Sequence, residues 1–144
     1  MAATVAALLA GRSDLWAAPA KTRMTVYKSP TCGCCEEWVK HVRAAGYIVK
    51  AIDVDDVAPI KSKQGVPADL VSCHTGVVGE YAFEGHVPAD LIDRFLKSPP
   101  KNARGLAVPG MPLGSPGMEV GGRKDAYDVV LFDKSGARRV FAKR

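Results

Sequence analysis

The sequence predicts an α/β fold, a mixed β-sheet flanked by helices, with a C-terminal Gly/Pro loop and β-hairpin extension. Two observations carry this. Between residues 24 and 96 the patterns run strand, helix, strand, helix, hairpin, helix, which is the element order of a thioredoxin-like fold. Cys32 and Cys35 also form a C-x-x-C between the first strand and the first helix, where thioredoxin-like proteins carry their redox pair. Length and composition agree with one such domain. The chain has 144 residues, 47% of them hydrophobic and 24% charged, enough for one core and short for two. This balance excludes a disordered chain, a collagen-like repeat and a coiled coil. No apolar run reaches the length of a membrane-spanning helix.

The elements follow in order. Residues 1–20 read as a degenerate signal peptide. Val5 to Ala10 is its apolar stretch and Ala18-Pro19-Ala20 its cleavage site, although no basic residue precedes the stretch and Arg12 and Asp14 interrupt it. Export would place the cysteines in an oxidising compartment. Residues 21–144 then form a single thioredoxin-like domain, with an extension from about residue 99. Met24 to Lys28 is a β-type run broken by Ser29-Pro30-Thr31. Cys34 to Ala45 is helical, with Cys35, Trp38, Val39 and Val42 on one stripe and Gly46 as its stop. Tyr47 to Val54 alternates as a second strand. Asp55-Asp56 opens a short helix ending near Gly65, and Val66-Pro67 is a turn. Thr75 to Val78 and Tyr81 to Phe83 flank Gly79-Glu80 as a hairpin. Pro88 starts a helix whose stripe is Leu91, Ile92, Phe95 and Leu96. Pro99-Pro100 ends it. Gly105 to Gly122, rich in Gly and Pro, reads as an irregular loop. Tyr127 to Phe132 and Ala137 to Ala142 form a last hairpin around Asp133-Lys134-Ser135-Gly136.

The chemistry concentrates at Cys32, Cys34 and Cys35. A helix N-terminus favours thiolate, but three thiolates in one turn repel one another. At about 4 Å each pair costs on the order of 4 kcal/mol for an effective dielectric near 20. A helix-dipole gain of about 0.3–1 kcal/mol per charge does not offset that. The cluster therefore needs protons, a disulfide or a cation. Cys73, in Ser72-Cys73-His74-Thr75, precedes the third strand, and in the expected fold that junction faces the C-x-x-C loop. All four cysteines then converge. Thiolates and thioethers are soft ligands that select Cu(I), Zn or iron–sulfur clusters. Met111 and Met118 of the Gly/Pro loop add thioethers, which suits Cu(I) over zinc. Zinc held by the cysteines and a histidine is the alternative.

His86, in a turn set by Gly85 and Pro88, is a further candidate ligand. Strand alternation turns His74 away from Cys73 and leaves it at most a supporting role around the ligands. His41 lies about 10 Å along the helix from Cys34, on a similar face, and reads as a surface or supporting group. Trp38 and Phe95 read as core. Met111 and Met118 have an equally good bland reading, as plugs of an irregular gap. Lys and Arg are scattered without interleaved aromatics, which excludes a nucleic-acid platform.

Four runs together resemble the CopG-like copper-resistance family, formerly described only as a domain of unknown function with a metal-binding role. They are Thr31-Cys32-Gly33-Cys34-Cys35, Ser72-Cys73-His74-Thr75, Glu84-Gly85-His86-Val87-Pro88 and Gly105-Leu106-Ala107-Val108-Pro109-Gly110-Met111-Pro112. The resemblance extends from about Met24 to the C-terminal hairpin. It implies a thioredoxin-like fold, a periplasmic location and copper binding through Cys32, Cys34, Cys35 and Cys73.

The expected function is that of a periplasmic protein holding Cu(I) in a cysteine-thiolate site for copper resistance, with redox cycling of the metal as an added activity. Binding is favoured over catalysis, and other periplasmic copper-handling proteins are the expected partners. The competing expectation is a thiol–disulfide oxidoreductase in which Cys32 attacks and Cys35 resolves. That leaves Cys34 and Cys73 without a task.

Overall fold

The computed structural model describes residues 22–144, so the leader expected over residues 1–20 lies outside the described residues. The described strands form one seven-stranded mixed sheet in the order β2-β1-β3-β4-β5-β6-β7. The expected α/β class, with helices flanking a mixed sheet, is what the chain adopts.

Strand β1 (Arg23–Lys28) alternates, burying Met24, Val26 and Lys28. It ends at Ser29-Pro30, and helix α1 (Gly33–Ala44) starts with Cys32 as its N-cap. Cys35, Trp38, Val39 and Val42 form its buried stripe, as their spacing predicts. The helix stops at Gly46, whose φ of +102° belongs to the left-handed region. Strand β2 (Ile48–Asp53) returns parallel to β1 at the sheet edge. Helix α2 (Ala58–Lys63) is shorter than its expected span, and Asp56 accepts the Ala58 N–H at its start. A single 3₁₀ turn (Ala68–Leu70) follows.

Strands β3 (Thr75–Val78) and β4 (Tyr81–Gly85) form the expected hairpin, and β3 pairs antiparallel with β1. Helix α3 (Ala89–Lys97) buries Leu91, Ile92 and Phe95 behind Pro88. The last hairpin is β6 (Asp128–Asp133) with β7 (Arg138–Lys143).

One expectation is overturned here. The first four residues of the presumed Gly/Pro loop, Gly105 to Val108, belong to strand β5 (Ala103–Val108), parallel to β4 and antiparallel to β6 inside the sheet. Gly105 is no breaker. A Cβ there would lie 1.8 Å from the Ala82 carbonyl oxygen, so the strand needs a residue without one. The irregular segment begins only at Pro109.

The sheet is covered on two faces. Trp38, Val39 and Val42 of α1 and Leu91, Ile92 and Phe95 of α3 pack on Met24, Val26, Phe83, Leu106, Val108 and Leu131. Val66 and Leu70 cover Ala82, Ala107 and Phe132 on the other. Burial on both sides explains why β5 ends in the unbroken apolar run Leu106-Ala107-Val108 rather than alternating. Both coverings leave free the end of the sheet where β1 runs into α1, β3 begins and β4 ends. The cysteines lie there.

Candidate metal centre

Four sulfur atoms meet at the N-terminus of α1. The Sγ atoms of Cys32, Cys34, Cys35 and Cys73 lie within 4.8 Å of one another. Cys34 Sγ is 3.5 Å from Cys32 Sγ and 3.8 Å from Cys73 Sγ, although 39 residues separate the last pair. Cys32 and Cys35 are joined in a disulfide, while Cys34 and Cys73 are free thiols. The electrostatic conflict of three thiolates in one turn is thus relieved here by a disulfide. Cys73 is relieved by a proton, because burial and the neighbouring Cys34 push its thiol up to about 12.

Imidazole adds to the sulfur. His86 Nε2 and His74 Nδ1 each lie 3.2 Å from Cys73 Sγ. His86 Nδ1 donates to the Pro116 carbonyl at 2.7 Å. A carbonyl only accepts, so the proton sits on Nδ1 and the Nε2 lone pair faces the sulfur. Burial holds both rings towards the neutral form, His74 strongly so. His74 Nε2 is buried without a hydrogen-bond partner. Its ring is wedged between Trp38 and His86, at centroid distances of 4.4 and 5.0 Å.

The placement of His74 corrects the alternation argument. Strand β3 begins only at Thr75, so Cys73 and His74 precede the pleat and both turn inward. His41 is half-buried, and its Nε2 accepts the Ala89 N–H at 3.1 Å, tying α1 to the start of α3.

The loop after β5 closes over this corner. Met111 places Sδ 3.9 Å from Cys34 Sγ and is half exposed, at the mouth of the site. Ser72 Oγ donates to the Gly110 carbonyl at 2.5 Å. Gly117 packs so tightly that a Cβ would fall 2.9 Å from both Cys34 O and Trp38 N. The two loop methionines therefore part company. Met111 brings its thioether to a cysteine, whereas Met118 brings main-chain hydrogen bonds with Ser115 and Gly114 that fold the loop. Loop main chain thus fixes His86 through Pro116, a contribution no side-chain pattern announces.

The donor set is three sulfur types and imidazole within one small volume. Such a set is soft, and with the disulfide reduced it could hold a soft metal ion through up to four thiolates.

Comparison with known proteins agrees with that geometry. A family model described as a protein of unknown function, DUF411, matches residues 70–118. Two solved structures, copper resistance protein CopG in its Form 2 and Form 1, share 44% sequence identity with the chain. Each comparison covers 86% of this chain and 98% of that chain, with TM-scores of 0.82 and 0.81. The chain belongs to the CopG copper-resistance family. Comparison with curated proteins finds no match. In this CopG-family chain the matched span 70–118 contains Cys73, His74, His86, Met111 and the loop that closes on them. It leaves out Cys32, Cys34 and Cys35.

Sequence reasoning missed Lys61 and Glu84, a buried ion pair beneath Cys73. A charge inside an otherwise apolar strand, Glu84 after Ala82-Phe83, is the one signal that could have drawn attention to it.

Proposed function

We propose that this chain is an exported copper-handling protein of the periplasm. It holds Cu(I) through Cys32, Cys34, Cys35 and Cys73, with His86 buried beside Cys73, Met111 at the mouth and His74 in support. The observation that carries the reading is the approach of Cys73 Sγ to Cys34 Sγ beside the C-x-x-C. The family adds to it, since the related structures are copper resistance proteins. Soft donors in this density suit Cu(I) better than zinc. The strand order β2-β1-β3-β4 supports the thioredoxin-like reading of the first four strands. Residues 21–144 then act as one domain with an extension, handing copper to or from other periplasmic copper-handling proteins.

In this reading the disulfide is the oxidised, low-capacity form, and reduction opens the full thiolate set. Copper cycling between oxidation states would draw on the same thiols.

The test is anaerobic purification of the reduced chain after growth in copper, followed by elemental analysis. Copper in at least stoichiometric amount is expected, and Cys73→Ser cuts it. Stoichiometric zinc without copper overturns the reading.

A second reading has its own observation. The disulfide sits at the N-terminus of α1, the place for a thiol–disulfide oxidoreductase. It predicts that Cys32→Ser abolishes disulfide reduction of insulin while Cys73→Ser leaves it intact.

A further inference from the structure

Beneath Cys73 lies a pair of opposite charges that metal ligation does not use. Lys61 of α2 and Glu84 of β4 are buried, Glu84 completely. Lys61 Nζ donates to Glu84 Oε1 at 2.6 Å and to Thr75 Oγ1 at 3.1 Å. The same Oε1 accepts the Ser72 N–H at 2.6 Å. Glu84 Oε2 accepts the Thr75 hydroxyl at 2.6 Å. Apart from its counter-ion, the carboxylate thus grips residues 72 and 75, one on each side of Cys73-His74.

Glu84 also stands two residues before His86. Gly85, between them, has a φ of +71°, and its N–H donates to the His74 carbonyl at 2.9 Å. A Cβ on Gly85 would lie 2.6 Å from Ser72 Cβ. The segment carrying Cys73 and the segment carrying His86 therefore meet at near backbone contact, with Glu84 as the clasp.

Burying two charges is a poor way to gain stability, because an apolar pair of similar volume is often as good. A fully satisfied buried polar network is better at selecting one geometry. We propose that Glu84, balanced by Lys61, is a positioning residue that sets the 72–75 segment so that Cys73 Sγ meets both Cys34 Sγ and His86 Nε2. What the site carries rests on the copper reading, but the positioning itself does not.

The experiment uses the metal-free chain with the Cys32–Cys35 disulfide closed. Iodoacetamide competes for the two free thiols, and peptide mass spectrometry gives the ratio of Cys73 to Cys34 modification. Glu84→Gln keeps the shape and removes the charge. The ratio is expected to rise about tenfold, the factor carried by one charge-assisted hydrogen bond. Thr75→Val, which preserves volume and deletes the hydroxyl bonded to both Glu84 and Lys61, raises it in the same direction and serves if Glu84→Gln does not fold. Glu84→Asp keeps the charge and brings the ratio part of the way back to the wild-type value. Leu131→Ala, in the core away from the clasp, lowers stability and leaves the ratio at the wild-type value. A folded Glu84→Gln chain with the wild-type ratio overturns the proposal. So does a Leu131→Ala chain whose ratio rises as far. Cu(I) titration of the same reduced variants separates the two claims. Failure of the wild-type chain to take up copper, with the alkylation ratios as expected, removes the copper reading and supports the positioning role.

Discussion

Replacing Gly117 with alanine should lift the loop from the sulfur site, at a cost set by what surrounds the new methyl group. Gly117 has a φ of +89°, and a Cβ there would stand 2.9 Å from Cys34 O, 2.9 Å from Trp38 N and 3.2 Å from His86 Nδ1. The first two are main-chain atoms of α1 and cannot swing aside. The left-handed conformation costs a non-glycine residue about 1–2 kcal/mol. The forced shift against α1 adds about 1–3 kcal/mol. Gly122 supplies the control: its φ is +73° and nothing lies within 4 Å of its would-be Cβ. Gly122→Ala should therefore show only the conformational penalty.

Urea unfolding of the metal-free, disulfide-closed chains measures the difference. With a slope of about 2 kcal/mol per M, Gly117→Ala should unfold roughly 1 M below Gly122→Ala. The Pro116 carbonyl should also leave His86 Nδ1, which nitrogen NMR of the ring detects. Equal midpoints for the two variants, with the His86 signal unmoved, would refute the idea that this loop is wedged onto the site.

Two further outcomes follow from burial. His74 is held well below its ordinary pKa because burial disfavours the charged ring. The unfolded chain gains a proton near pH 6.5 that the folded chain refuses, so stability present above pH 6.5 is lost as the pH falls. The slope is up to about 1.4 kcal/mol per pH unit. Urea midpoints at pH 7, 6 and 5 should show this acid loss, and His74→Gln should flatten it. His41 and His86, also lowered by burial, act in the same direction. Trp38→Phe removes the indole N–H that donates to the Val87 carbonyl at 2.9 Å, leaving that buried acceptor unpaired. A loss of about 2 kcal/mol is expected, a fall in Tm of roughly 5–10 °C by calorimetry.

Much of the fold was legible because its signals are local. The α1 stripe of Cys35, Trp38, Val39 and Val42 and the α3 stripe of Leu91, Ile92 and Phe95 are periodic within a few turns. Gly79-Glu80 and the run from Asp133 to Gly136 mark both hairpins. Strand β5 escaped because Gly105 looks like punctuation. Its meaning is a close approach to Ala82, a residue 23 positions away. The helix start moved by one residue and the second strand shortened, as element ends do when capping decides them.

The site divides in the same way. Three cysteines in four positions announce thiol chemistry without any fold. That His74 joins Cys73 instead of facing away depended on where β3 begins. That Met111 reaches Cys34 and Met118 does not depended on the path of the loop. Lys61 and Glu84 carry no shared local pattern, and their pairing exists only once α2 packs against β4.

By itself the sequence determined the periodic elements and the kinds of donor atom available, because both depend on near neighbours along the chain. The tertiary structure alone decided which atoms face one another: the Cys34–Cys73 approach, the proton on His86 Nδ1 and the carboxylate beneath Cys73. Those are distances between residues tens of positions apart, and only packing of the whole sheet sets them.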